Sequence, residues 1–204
     1  MSAPPKTVLH ATPEEAKAIR EAVRAVDPAT LGEQRARADL SHVAGLVTLL
    51  DDPAVSDAIY DLPRPITAES VTRWVTEAQA QALVGEGLLL VSLDEHGAVA
   101  GYSRFTIWPE RASGELAGAV RADRQNLGQG GPGAAHTFAW MFTILGVRLI
   151  GLTAARDNVR SASLIEAAGF VDMGEREAVR PDGTIRRSRY WELTREEWRL
   201  RHRL

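Results

Sequence analysis

The 204-residue chain has no cysteine. That excludes disulfides, thiolate metal sites and a cysteine nucleophile together. It has no basic excess either: 24 Lys and Arg stand against 27 Asp and Glu, for a net charge of −3 and a pI of about 6.0. Such a balance gives no field for nucleic acid or for an anionic membrane surface. No apolar run approaches the length of a bilayer span. Residues 1–11 lack a basic segment leading into an apolar one, so no secretory signal is read and the expected location is the cytoplasm. His10, His42, His96, His136 and His202 are too scattered to suggest a metal site. There are no internal repeats and no low-complexity tracts.

What is present reads as an ordinary globule, 45% hydrophobic and 25% charged, long enough to bury a substantial core. Residues 1–11 read as loosely attached. Thr12-Pro13-Glu14-Glu15 then starts a helix, with a capping Thr, Pro at the first helical position and Glu at the third. It ends before Asp27-Pro28. This divides the chain into an extension, 1–30, with one helix, and a domain, 31–204. The extension's helix reads as packed on the surface; a dimer contact or a substrate lid is the alternative, which leaves a homodimer open. Glu33 to Arg37 has poor strand propensity and suggests helix. Residues 40–50 carry a helical apolar pattern, Asp52-Pro53 opens a short helix, and Thr67 caps another that runs to about Val84. Residues 88–93 form the continuous apolar run of a central strand. A turn at Asp94-Glu95-His96-Gly97, an alternating strand over 99–108 and another over 115–122 follow. Next come a helix over 131–145, a strand over 149–154 and a helix over 159–168. Two strands then pair across Pro181-Asp182-Gly183. Thr194 to Glu197 is a capping box for a last helix. This order gives a mixed α/β, three-layer fold.

Residues 120–146, VRADRQNLGQGGPGAAHTFAWMFTILG, carry the main chemical signal. Gly128, Gly130, Gly131 and Gly133 fall within six positions. A glycine loop that opens a helix aims successive N–H groups at one point, which is an anion site. Pro132 suits the first helical turn. A P-loop would need Lys-Ser or Lys-Thr after the last glycine, and none follows. Gly128, Gly130 and Gly133 do satisfy G-x-G-x-x-G, yet they lie in the second half of the chain, after a meander of strands, with no acid placed for a ribose.

The third pattern is Q/R-x-x-G-x-G/A, met by Gln125, Gly128 and Gly130. It resembles the pyrophosphate loop of the GNAT superfamily of N-acetyltransferases. Residues 158–170, NVRSASLIEAAGF, resemble the segment after the fifth strand in the branch that acetylates N-termini of ribosomal proteins. Asn158, Ser161, Leu164, Glu166, Gly169 and Phe170 all fall at its spacing. Gly114-Glu115-Leu116 stands where that branch has a fourth-strand Glu. The terminal RPDGTIRRSRYWELTREEW resembles its last hairpin and helix. The likeness covers about residues 35–198, and it would start a first strand near Glu33 to Arg37, where local propensity favours helix.

That resemblance implies a GNAT fold: a mixed central sheet of about six to seven strands, strands four and five splayed, and helices on both faces. It implies acetyl-CoA as cofactor and an amine-bearing acceptor, a peptide N-terminus or a small molecule. Val120 would meet the pantetheine. Gln125, Asn126, Leu127, Gly128, Gln129, Gly130 and Gly131 would hold the pyrophosphate through main-chain N–H groups. Leu127 replaces the usual Lys, so Arg121 and Arg124 are the candidates for charge support. Asn158 and Ser161 would also meet the cofactor. Glu115 is the candidate general base, its other reading being a salt-bridged carboxylate or a recogniser of a cationic acceptor. Other relatives have a Tyr acid where this chain has Ile165, so Ser161 is the substitute at the sulfur. Tyr60, Arg64, Arg73 and Trp74 are candidate acceptor contacts. His136 reads as structural. A catalytically weak acyl-CoA-binding sensor or partner module is the alternative to an enzyme.

Overall fold

The computed structural model describes residues 3–57, 59, 61–125, 130–179 and 183–203. Among the described residues seven strands form one sheet in the order β1-β2-β3-β4-β5-β7-β6. They are β1 (Arg35–Arg37), β2 (Gly87–Leu93), β3 (Val99–Trp108), β4 (Ser113–Val120), β5 (Leu149–Ala155), β6 (Val171–Val179) and β7 (Ile185–Thr194). The helices are α1 (Pro13–Ala25), α2 (Val43–Asp51), α3 (Pro53–Ser56), α4 (Ala68–Val84), α5 (Gly130–Thr143), α6 (Val159–Ala167) and α7 (Arg195–His202). All strand pairs are antiparallel except β4 with β5.

Each face of the sheet has its own core. On one face, Ile19 and Val23 of α1, Phe138 and Met141 of α5, Ile165 of α6 and Trp198 of α7 pack on Leu88, Phe105, Leu152 and Trp191. On the other, Leu46 and Leu50 of α2 and Val71 and Val75 of α4 pack on Leu89, Val91 and Tyr102. Alternate β2 residues serve the two cores, so the strand is apolar on both sides and reads as a continuous hydrophobic run.

Local signals set most boundaries. The Thr12 hydroxyl accepts the Glu15 N–H at the start of α1. Thr67 and Ser70 form the reciprocal cap of α4, and Gly85 ends that helix in the left-handed region, φ 78°. Thr194 and Glu197 cap α7 in the same reciprocal way.

Two expectations are corrected. The stretch whose local propensity suggests helix is β1, where the resemblance puts a strand: Arg35, Ala36 and Arg37 pair with Ser92, Val91 and Leu90, and ladder pairing overrides the poor strand propensity. The described residues of the N-terminal segment are tied down rather than loosely attached. The Ala11 N–H donates to Glu110 O at 2.9 Å, Arg148 donates to His10 O at 2.7 Å, Arg111 donates to Pro5 O at 2.6 Å, and the Thr7 N–H donates to the two oxygens of Glu192 at 3.1 and 3.3 Å. From Thr7, bonded to Glu192, the segment passes Glu110 at Ala11 and enters α1, whose Ile19 and Val23 lie in the core on the α5 face.

Candidate active site

The site is made by strands that separate. β4 and β5 pair only at Ser113–Leu149, Gly114–Ile150 and Glu115–Gly151. Beyond Glu115, residues 116–120 pair with β3 alone, while β5 continues along β7. The expected splay is therefore present, and it begins at Glu115. A wedge opens there, with main-chain edges of β4 and β5 facing each other without a ladder.

Glu115 is 5% exposed. Its Oε1 accepts the Thr153 hydroxyl at 3.2 Å across the wedge. Cross-strand partners project to one face. Glu115, Gly151 and Glu192 are successive partners across β4, β5 and β7, and Thr153 pairs with Tyr190. All of these lie on the face that carries α2 and α4, whereas Leu116 and Leu152 turn to the α5 face.

Gly151 has a specific steric reason. A Cβ built there would meet the Tyr190 hydroxyl and ring. The glycine lets that phenol sit over β5 beside the parting point and donate to Glu192 Oε1 at 2.8 Å. Tyr190 and Glu192 are 1% and 4% exposed. Burial, and after it the hydrogen bond to Glu192, hold the Tyr190 phenol protonated well above its ordinary range; the Glu192 and Glu115 charges act in the same direction.

The mouth of the wedge is tied by Gln125. Its Nε2 donates to Val120 O at 3.1 Å and reaches Ala54 O of α3 at 3.5 Å. Its Oε1 accepts Arg160 Nη1 at 3.3 Å. One side chain thus joins the end of β4, α3 and the first turn of α6. Asn158 caps α6 by accepting the Ser161 N–H at 3.0 Å. This places Ser161 in the first turn of α6. Gly130 and Gly131 open α5. Asn126, Leu127, Gly128 and Gln129 lie outside the described residues.

Arg121 is engaged elsewhere. Its Nη1 donates to Asp94 Oδ2 at 2.9 Å, and its Nε and Nη2 grip Asp123 at 2.8 and 3.0 Å. The Arg121 bond, with main-chain N–H donors from Ala98 and His96, draws Asp94 down to about 2. Arg124 has a looser partner, Glu95 at 3.9 Å.

Of the candidate acceptor contacts, Trp74 is core: 5% exposed and edge-on to Tyr102 at 5.3 Å. Arg73 pairs with Glu69 on the outer face of α4. Arg64 donates to Ser56 O at 2.9 Å. Tyr60 lies outside the described residues. His136 is exposed and Ile165 is buried. Thr153, Tyr190, Glu192 and Arg160 did not emerge from the sequence. The signal available for Arg160 was its place two residues after the capping Asn158. The other three needed strand register.

Among the described residues no group of three His, Asp or Glu gathers as a metal site, and no helix is long and apolar enough to cross a membrane.

Comparison with known proteins gives three kinds of result. The family model described as Acetyltransferase (GNAT) domain matches residues 35–171. No curated protein matches in sequence. Solved structures share the fold. A ribosomal-protein-S5-alanine acetyltransferase from Vibrio fischeri is 16% identical with a TM-score of 0.67, covering 80% of this chain and 93% of its own. RimJ of Mycobacterium smegmatis, in complex with CoA-disulfide, is 18% identical with a TM-score of 0.67, covering 80% and 82%. A spermidine N-acetyltransferase SpeG variant from Vibrio cholerae is 16% identical with a TM-score of 0.64, covering 82% and 98%.

Proposed function

The chain belongs to the GNAT acetyltransferase family, and on that premise we propose that it moves an acetyl group from acetyl-CoA directly to a primary amine. The acceptor is a protein or peptide N-terminus or a small-molecule amine. The observation that carries this reading is Glu115, buried where β4 and β5 part and held by Thr153.

The wedge fits the cofactor in chemistry. Residues 116–120 offer main-chain groups on the side that β5 has left, which suits an amide-bearing pantetheine laid as an added strand. The start of α5 suits a diphosphate. Bound acetyl-CoA supplies a thioester-activated acetyl group. Glu115 takes the proton of the attacking amine as the N–C bond forms and the C–S bond breaks, directly or through a water. Thr153 keeps the carboxylate oriented. Ser161 donates toward the departing sulfur. Asn158 fixes the turn that presents Ser161, and Gln125 with Arg160 pins the mouth. With Arg121 committed to Asp94 and Asp123, main-chain N–H groups carry most of the phosphate recognition.

Turnover of acetyl-CoA against a panel of peptides and small amines tests the activity. Gly128→Glu tests the cradle: a side chain and a negative charge at that position should abolish cofactor binding by calorimetry while the thermal transition stays intact. Unchanged affinity would remove the loop assignment.

A further inference from the structure

A diphosphate brings negative charge to the start of α5, yet residues 125–131, QNLGQGG, carry no charged side chain. Main-chain N–H groups aim dipoles at an anion but do not neutralise it. Arginines on the segments that flank the open end of the wedge are the source of positive charge: Arg121 and Arg124 after β4, Arg156 and Arg160 after β5.

Their ion pairs decide which one is free. Arg121 is held by Asp94 and Asp123 at 2.9 and 2.8 Å. Arg156 pairs with Glu175 at 3.0 Å, and Arg124 has Glu95 at 3.9 Å. Arg160 differs from all three. Among the described residues no carboxylate pairs with it, and the acceptor it holds is the neutral amide oxygen of Gln125 at 3.3 Å.

Arg160 is also exposed and is the second residue of α6. The first turn of a helix is where its dipole disfavours a cation, and no acidic residue in that turn offsets it. An anion beside the guanidinium removes the conflict. Gln125 fixes where that anion would sit. Its amide is anchored to Val120 O at 3.1 Å, and from Gln125 the chain runs on to the start of α5 at Gly130. The guanidinium therefore stands between α6 and the segment that leads into α5. A phosphate oxygen is a better partner for it than an amide oxygen, because a hydrogen bond between ionised groups is shorter and about twice as strong.

We propose that Arg160 leaves Gln125 Oε1 for the diphosphate of acetyl-CoA and supplies the formal charge that residues 125–131 lack. This rests on the reading of the wedge as the cofactor site. Gln125 keeps its bond to Val120 O, so the end of β4 stays tied when the arginine turns away.

Calorimetry on the full chain tests this with two probes: coenzyme A, and dephospho-coenzyme A, which lacks the 3′-phosphate and keeps the diphosphate. Arg160→Gln should weaken both by the same factor, about tenfold or more, the scale of a hydrogen bond to a charged group. The fall of affinity with added salt should also be shallower in this variant, because an ionic contact is gone. Arg160→Lys keeps the charge and should retain part of the affinity and the parent's salt slope. Unchanged affinity in Arg160→Gln overturns the proposal. So does a loss that keeps the parent's salt slope, which would make Arg160 a brace for Gln125 and nothing more. A loss for coenzyme A alone overturns it too, since the guanidinium would then serve the 3′-phosphate. In all three cases the parent's own binding leaves the cofactor site standing. A parent chain that binds neither probe overturns the cofactor site itself, and the proposal with it.

Discussion

The Thr153 hydroxyl donates to Glu115 Oε1 at 3.2 Å across the first step at which β4 and β5 no longer pair. The carboxylate is thus fixed from the strand opposite its own, at the parting point of the wedge.

Glu115→Gln keeps the shape and removes the proton acceptor. The rate should fall by about 10²–10⁴-fold, the usual scale for general base catalysis, and the pH–rate profile should flatten. Acetyl-CoA affinity by calorimetry should not move. Full activity in this variant would strip Glu115 of the role of base.

Thr153→Val is the milder companion. It deletes a donor that favours the charged carboxylate. The acidic limb of the rate profile should move to higher pH, and kcat/KM at neutral pH should drop by about fivefold to tenfold, matching the loss of about 1 kcal/mol for one hydrogen bond. A profile that overlays the parent's would show that the contact does not tune the base.

Gly151→Ala places a methyl against the Tyr190 hydroxyl. Overpacking of this kind costs about 1–3 kcal/mol. Adding Tyr190→Phe takes away the oxygen in the way, so the double variant should recover part of the loss. Thermal unfolding of the four members of the cycle measures the coupling; additive losses would mean the phenol is not where Gly151 leaves room for it.

The Asp94–Arg121 pair makes a pH prediction for stability. Asp94 titrates at about 2 in the folded chain, below its ordinary 3.8. A depressed carboxylate contributes above its unfolded value and loses that contribution as pH falls through the folded one. Its share of stability is therefore complete above pH about 4 and gone below about 2. Asp94→Asn should lower the melting temperature at pH 6 and leave it close to the parent's at pH 2. An equal loss at both would place its cause outside the ion pair.

Much of the fold was legible because its signals are local. Thr67, Thr194 with Glu197, and the run through Leu88 to Val91 name their elements from neighbouring residues alone. Glu115, Gln125, Asn158 and Ser161 were legible through spacing and resemblance, and all flank the wedge. What escaped depends on long-range partners. Arg35 to Arg37 become a strand because β2 pairs with them, against local preference. Residues 3–7 show no periodicity; their order comes from Arg111, Arg176 and Glu192, more than 100 positions away. Tyr190 and Glu192 were letters of a hairpin until register set them beside Gly151. Trp74 looked available because a tryptophan after an arginine on a helix gives no hint of which side faces Tyr102.

The wedge also divides the sheet mechanically. Only three rungs, 113–115 against 149–151, stitch a four-stranded half to a three-stranded half. A ligand laid between the open edges acts as a clasp on that seam. Amide hydrogen exchange along residues 116–120 and 152–155 therefore reports the clasp directly, slowing when it closes even if no other part of the chain changes shape.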